Sequence, residues 1–194
     1  MINRILFIVL VVAAYSCSAP TKEVCIDNPT ESDIIIHFDN NEPIQINAKE
    51  KKCVQLKFGT RTLHYNETQT ELKLDGEKDY IINPTKSTYY IQNIPYVLSQ
   101  KGKENYRNDY GSPSSVVEGF EMNGDFEEIK EKVLIAKNWT FGLDEEASES
   151  ASTNYNPNTG YYIVRKIHRG SDLSATISKS FINQLEEALL EKSN

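Results

Sequence analysis

Val24-Cys25-Ile26-Asp27-Asn28-Pro29-Thr30-Glu31-Ser32-Asp33-Ile34-Ile35-Ile36 decides the fold, because the chain writes it twice. The second copy is Asp79-Tyr80-Ile81-Ile82-Asn83-Pro84-Thr85-Lys86-Ser87-Thr88-Tyr89-Tyr90-Ile91. Each copy reads as an apolar strand, an Asn-Pro-Thr turn and a second apolar strand. Proline presets φ at the second position of a turn, while Asn and Thr side chains bond nearby backbone. The spacing predicts two similar corners in one β-sandwich. Two copies do not make a solenoid, which needs about three.

Outward from these corners, short apolar runs alternate with turn residues. Strands are expected at Val24–Asp27, Asp33–Phe38, Glu42–Ile46, Cys53–Phe58, Thr62–Tyr65, Glu71–Leu74, Tyr80–Ile82 and Thr88–Gln92. Asn28-Pro29, Asp39-Asn40-Asn41, Asp75-Gly76 and Asn83-Pro84 break them. Residues 24–92 therefore read as an antiparallel β-sandwich, immunoglobulin-like in general character. The Cys…Trp…Cys signature of antibody domains is absent, since the single tryptophan is Trp139.

Residues 93–194 read as a smaller α+β region, making the chain α+β as a whole. Asn105–Ser115 is expected to be a polar loop. Asp125 with Glu128 has the spacing of a capping box, with Phe126, Ile129, Val133 and Ala136 on one helix face. An acidic, Ser-rich loop is expected over 143–160, a strand at Tyr161–His168, and a last helix capped by Ser180. On that helix Phe181, Leu185 and Leu189 align.

The N-terminus carries an address. Arg4 precedes an apolar run, Ile5–Ala14, and then Ala14-Tyr15-Ser16-Cys17. The run suits a signal-peptide core and is short for a membrane span, which needs about 20 residues. Residues 1–16 read as a leader and Cys17 as the lipid-attachment residue, with 17–23 a short tether. A diacylglyceryl group and an N-acyl chain (palmitate-like) would hold the chain firmly, where one acyl chain would not. Ala14 and Ser16 also satisfy an ordinary secretory cleavage, which would release a soluble binding protein; an uncleaved anchor helix is a third route.

The chain has three cysteines. If Cys17 carries lipid, Cys25 and Cys53 remain, and an oxidising compartment favours their pairing. Strand alternation puts Val24 and Ile26, and likewise Val54, Leu56 and Phe58, on core faces. Cys25 and Cys53 then point to the opposite face, where neighbouring strands can be bridged. Two free thiols are the alternative.

The strand–Asn-Pro-Thr–strand corners, with Phe58-Gly59 between them and Asn138-Trp139-Thr140-Phe141-Gly142-Leu143 more faintly, resemble a group of uncharacterised exported lipoproteins of Bacteroidetes. The resemblance implies an envelope location and a β-rich first half, and brings no activity. Ser18-Ala19-Pro20-Thr21 lacks the acidic run that marks surface-exported lipoproteins of that phylum. That favours an outer-membrane anchor facing the periplasm.

The formal charge is −7 with no basic cluster, which argues against nucleic acid as a partner. His37, His64 and His168 lie in strand-like segments without His-x-x-x-His or His-Glu spacing, so neither a metal site nor a cofactor is expected. No Gly-x-Ser-x-Gly occurs. The expectation is a non-enzymatic binding module for another envelope component, a protein or a glycan. Its candidate face is Tyr89, Tyr90, Tyr96, Tyr106 and Tyr110, since tyrosine gives large contact area at low entropic cost. The alternative is a glycosidase-like envelope hydrolase with dispersed carboxylates such as Asp109, Glu118 or Asp125.

Overall fold

The computed structural model describes residues 20–148 and 159–192, with side chains of the last helix described up to 183. The expected leader, Cys17 and part of the expected 143–160 loop lie outside the described residues. Among the described residues the fold is mostly antiparallel β-sheet with two helices. Strands β1 (Thr21–Asp27), β2 (Ile34–Phe38), β3 (Ile44–Ile46), β4 (Lys51–Lys57), β5 (Gly59–Tyr65), β6 (Thr68–Leu74) and β7 (Tyr80–Ile82) precede the long strand β8 (Tyr89–Val97). Helix α1 (Gln100–Tyr110), the hairpin β9 (Ser114–Val117) and β10 (Phe120–Asn123), then β11 (Asp125–Ile129) and β12 (Leu134–Ala136) follow. Strand β13 (Tyr161–Arg169) runs directly into helix α2 (Gly170–Lys192).

Three sheets stack. The middle one has the order β12-β7-β1-β4, with β3-β2-β5-β6 on one side and β11-β8-β13 on the other. Alternation in the middle sheet builds both interfaces. Val24, Ile26, Leu56, Tyr80 and Ile82 join Ile34, Ile36, Phe38, Leu63 and Leu72 in one apolar cluster. The intervening Ile81 and Ile135 join Tyr89, Ile91, Ile129 and Ile167 in another. Successive strand residues point to opposite faces, so a strand apolar on both faces belongs between two layers.

The two Asn-Pro-Thr corners begin two copies of one connectivity. In the first, β1 pairs with β4, and β2 lies between β3 and β5. In the second, β7 pairs with β12, and β8 lies between β11 and β13. Chain order is kept, and so is register. Ile34 faces Ile46 as Tyr89 faces Ile129, Ile36 faces Tyr65 as Ile91 faces Ile167, and Cys25 faces Cys53 as Tyr80 faces Ala136. The copies join where β1 and β7 pair in parallel, Cys25 opposite Ile81. An all-antiparallel arrangement was expected, and this parallel pair departs from it.

The corner asparagines lock each copy. Asn28 is fully buried; its Nδ2 donates to the carbonyls of Ser32 (2.8 Å) and Asn47 (3.0 Å), and its Oδ1 accepts from Thr30 Oγ1 (2.7 Å). Asn83, also fully buried, donates to the carbonyls of Ser87 (2.8 Å) and Lys132 (3.0 Å) and accepts from Thr85 Oγ1 (3.0 Å). One amide thus ties a turn to the strand connection opposite, satisfying partly buried carbonyls that no ladder reaches.

The eight strands expected before residue 92 are present, and Cys25 and Cys53 form a disulfide between directly paired positions of β1 and β4. The expected boundary at 92/93 falls inside β8, and β12 from the later region completes the middle sheet.

Three local expectations are corrected. Asp125–Ile129 is a strand, because pairing with β8 outweighs the capping-box pattern and Gly124, at φ 131°, fits no helix. The expected loop at Asn105–Ser115 is largely helix α1, whose Ser99 cap accepts from the Gly102 amide at 3.0 Å. A Cβ on Gly102 would meet the Gly160 carbonyl oxygen at 1.9 Å, so that helix-weakening glycine is required by close approach. The last helix starts at Gly170 and passes through Ser180, because Leu173 and Ile177 extend its apolar stripe back onto the hairpin.

Candidate functional site

The two copies differ in two connections: Phe58 alone joins β4 to β5 where residues 137–160 separate β12 from β13, and the connection between the second and third strands differs as well. Between β2 and β3 the first has the short turn that starts at Asp39; between β8 and β11 the second inserts α1 and the β9–β10 hairpin. The insertion walls a groove of about 510 Å³ against β8 and β11. Lys103, Tyr106 and Arg107, at helical spacing i, i+3 and i+4, line it from α1. Asn93 and Pro95 line it from β8 and Asp125 from β11. Asn93 Nδ2 donates to Asp125 Oδ2 at 2.8 Å, which fixes both groups on the groove wall. Burial, then the Asp125 carboxylate, pushes the Tyr106 hydroxyl above the usual tyrosine range, so it remains a donor.

Behind the groove sits an aromatic cluster. Tyr106 stacks on Tyr110 with ring centres 5.1 Å apart and meets Tyr161 edge-on at 5.4 Å. Tyr161 donates to Asp109 Oδ2 at 2.5 Å, which pushes its own hydroxyl up to about 12. Tyr96 stacks on Tyr162 at 5.3 Å. Val97 and Leu98, just before α1, and Tyr110 at its end are 41%, 50% and 48% exposed.

The five tyrosines expected on one face are thus divided. Tyr106 and Tyr110 share the α1 cluster, and Tyr96 lies farther along β8. Tyr89 and Tyr90 belong to the interior and leave the candidate face. They are neighbours on β8, so one points to the middle sheet and the other to α2 and the hairpin. Tyr89 donates to Asp27 Oδ2 at 2.6 Å. The Tyr90 hydroxyl lies within hydrogen-bond distance of Glu118 Oε1 (3.2 Å) and Glu128 Oε1 (3.0 Å), and burial pushes it up to about 12. A sheet covered on both faces buries both residues, and alternation within one strand does not reveal the second cover.

The dispersed carboxylates do not gather. Asp109 binds Tyr161, Asp125 lines the groove, and Glu118 lines a separate cleft of about 390 Å³ with Glu128. Lys130 at 2.9 Å holds the Glu128 carboxyl below the usual range, opposite to the direction a proton donor needs.

Sequence reasoning missed a buried charge cluster. Arg169 Nε donates to Asp27 Oδ2 at 2.9 Å and Nη2 to Oδ1 at 2.7 Å, while Nη1 lies 3.0 Å from Asp144 Oδ1 and 3.4 Å from Asp172 Oδ2. Lys166 Nζ donates to the carbonyls of Gly142, Leu143 (3.1 Å) and Ile167 (3.0 Å), and burial lowers its pKa. The only early signal was a charge at the end of an apolar strand, Asp27, and that says nothing about its partner.

Among the described residues no helix is long and apolar enough to cross a membrane, and no group of three or more His, Cys, Asp or Glu is placed to hold a metal. Compared with protein-family models, curated proteins and solved structures, the chain matches none.

Proposed function

We propose that this chain is a lipid-anchored protein of a bacterial envelope that binds another envelope component through the groove between α1 and β8. One observation carries the reading. One of the two insertions that break the internal repeat is also what walls the groove and stacks the tyrosines beside it. A connection lengthened from a tight turn to a helix and hairpin adds surface that the repeat itself does not need. The lining suits recognition: one aromatic ring, two cations and the Asn93–Asp125 pair, arranged around a modest apolar floor. A protein segment is the favoured occupant and a glycan the second.

The address rests on Ile5–Cys17, and the Cys25–Cys53 disulfide supports export, since such bonds persist outside reducing compartments. The likeness to exported Bacteroidetes lipoproteins belongs to the same proposal, as does an outer-membrane anchor facing the periplasm. The first copy, with β1 and β4 against β3-β2-β5-β6, we read as a small sandwich of immunoglobulin-like character.

The test is affinity capture from gently crosslinked, detergent-solubilised envelopes. The wild type is compared with Tyr106→Ala and Arg107→Ala, with fatty-acid labelling of wild type and Cys17→Ser alongside. The expected result is a partner recovered with the wild type and lost with the groove variants, and label lost with Cys17→Ser. The same proteins captured by all variants would overturn the site; label retained by Cys17→Ser would overturn the anchor.

A further inference from the structure

His37 on β2 and His64 on β5 are far apart in sequence, but register sets them directly opposite each other on antiparallel strands. Their neighbours Ile36, Phe38 and Leu63 are in the core, so both imidazoles stand on the outer face of the sheet, half-buried. The rings are stacked, with centres 4.3 Å apart and planes 5° from parallel. His37 Nδ1 lies 3.3 Å from the Asp39 carbonyl oxygen. A carbonyl can only accept, so Nδ1 carries the proton and Nε2 keeps its lone pair. Asp39 is itself fixed: its amide donates to the Thr62 carbonyl at 2.7 Å, and its Oδ1 accepts from the Thr62 amide at 2.9 Å.

We propose that His37 and His64 form a two-imidazole chelate for a first-row divalent cation, with Cu(II) held most tightly. Imidazole nitrogen suits copper, nickel and zinc, and the stability order for such ligands peaks at copper. A metal–nitrogen bond of about 2.0–2.1 Å brings adjacent ligand nitrogens to about 3 Å of each other. The rings are 5° from parallel, so chelation requires these two partly exposed side chains to turn out of the stack until their Nε2 lone pairs converge, which the short separation of the two strands permits. The Nδ1–H bond to a fixed backbone carbonyl is the support that orients a ligating histidine and sets its tautomer. No third His, Cys, Asp or Glu completes the set among the described residues, so water or a partner's ligand fills the remaining positions. The third histidine does not compete, because His168 Nε2 is hydrogen-bonded to Gln92 Oε1 at 2.9 Å.

The test is titration of the purified full chain with Cu(II), followed by electron paramagnetic resonance and calorimetry. Wild type is compared with His37→Gln, His64→Gln and His168→Gln. The expected result is one strong site with two coordinated nitrogens. Either pair variant weakens binding at least tenfold and loses one nitrogen, while His168→Gln binds as wild type. Unfolding curves recorded without metal check that each variant is folded, and Cu(II) should raise the Tm of wild type and of His168→Gln, and much less that of either pair variant. Equal affinity and equal spectra in wild type and pair variants would overturn the proposal, and so would two independent single-nitrogen sites.

Discussion

Arg169, the last residue of β13, grips Asp27, the last residue of β1, with two guanidinium nitrogens on two carboxylate oxygens at 2.7–3.1 Å. Asp27 is fully buried and Arg169 is 5% exposed. The bond joins the first and second copies of the repeat across the interface between the middle sheet and β11-β8-β13. Tyr89 adds a third donor to the same carboxylate. Beside it, Gly170 N–H donates to the Thr88 carbonyl at 2.9 Å and Ser171 Oγ to the Pro29 carbonyl at 3.2 Å, so the start of α2 touches the ends of both corners.

Removing one partner of a buried ion pair leaves the other charge uncompensated, at a cost of about 3–5 kcal/mol. Asp27→Ala should lose stability on that scale in urea unfolding. Arg169→Met should lose more than Asp27→Ala, because Arg169 keeps Asp144 and Asp172 whereas the fully buried Asp27 keeps only the Tyr89 bond. The double variant should be less damaged than the two singles added together, since the pair acts as a unit. Additive losses below about 1 kcal/mol would show that the pair does not hold the copies together.

The corner asparagines should be equivalent. Asn28→Ala and Asn83→Ala each remove a buried amide from partly buried carbonyls, and each should cost about 1–2 kcal/mol by chemical denaturation. Aspartate at either position should be worse than alanine, because it turns an acceptor toward those carbonyls. A large effect at one corner with none at the other would break the equivalence.

The disulfide should stabilise the first copy. Its cysteines are separated by 28 in sequence, and closing a loop of that size is worth about 3–4 kcal/mol in the chain-entropy model. Cys53 is exposed, so mild reductant should reach the bond without prior unfolding. Reduction, or the double Cys25→Ser/Cys53→Ser variant, should lower the unfolding free energy from urea curves by that amount. A reduced protein as stable as the oxidised one would contradict this.

Burial pushes the His168 imidazole down to about 4, from an ordinary value near 6.5. The unfolded chain therefore takes up this proton first as pH falls. Stability from this site is fully kept above about pH 6.5 and drains away between there and about pH 4, by at most about 3 kcal/mol and by less to the extent that solvent screens the partly exposed ring. Asp79, Asp144 and Glu128, whose carboxyls are all lowered, add losses of the same sign only at more acid pH. Comparing wild type with His168→Gln at pH 7 and pH 4.5 isolates the histidine. The variant should lose less stability over that interval, and parallel losses would refute the assignment.

Much of the first copy was legible in the chain because its strands carry their apolar residues at alternate positions between strong turn residues. Cys25 and Cys53 were readable on the same logic, since each lies one step off a core residue. The second copy hid itself where tertiary contacts decide. Asp125–Ile129 has the residues of a helix start but finds β8 beside it, and pairing wins. Helix α1, Gln-Lys-Gly-Lys-Glu-Asn-Tyr-Arg-Asn-Asp-Tyr, has no apolar stripe and carries a glycine that only the approach of Gly160 explains. Tyr89 and Tyr90 look like alternating surface aromatics until both faces of β8 acquire covers. The groove could be read only in part, through Tyr106 and Asp125, because its walls come from segments whose fold the sequence left unspecified. His37 and His64 show the same limit, as only strand register makes them neighbours.

The central claim is that the α1 groove is a binding surface for an envelope component. Its most direct test is photo-crosslinking in living cells, with a benzophenone amino acid placed at Tyr110, beside the groove, and at Lys73, on the distant sheet edge. A discrete adduct is expected from position 110, diminished by Arg107→Ala, and none from position 73. Equal adducts from both positions, or none from position 110 while the protein is folded in the envelope, would contradict it.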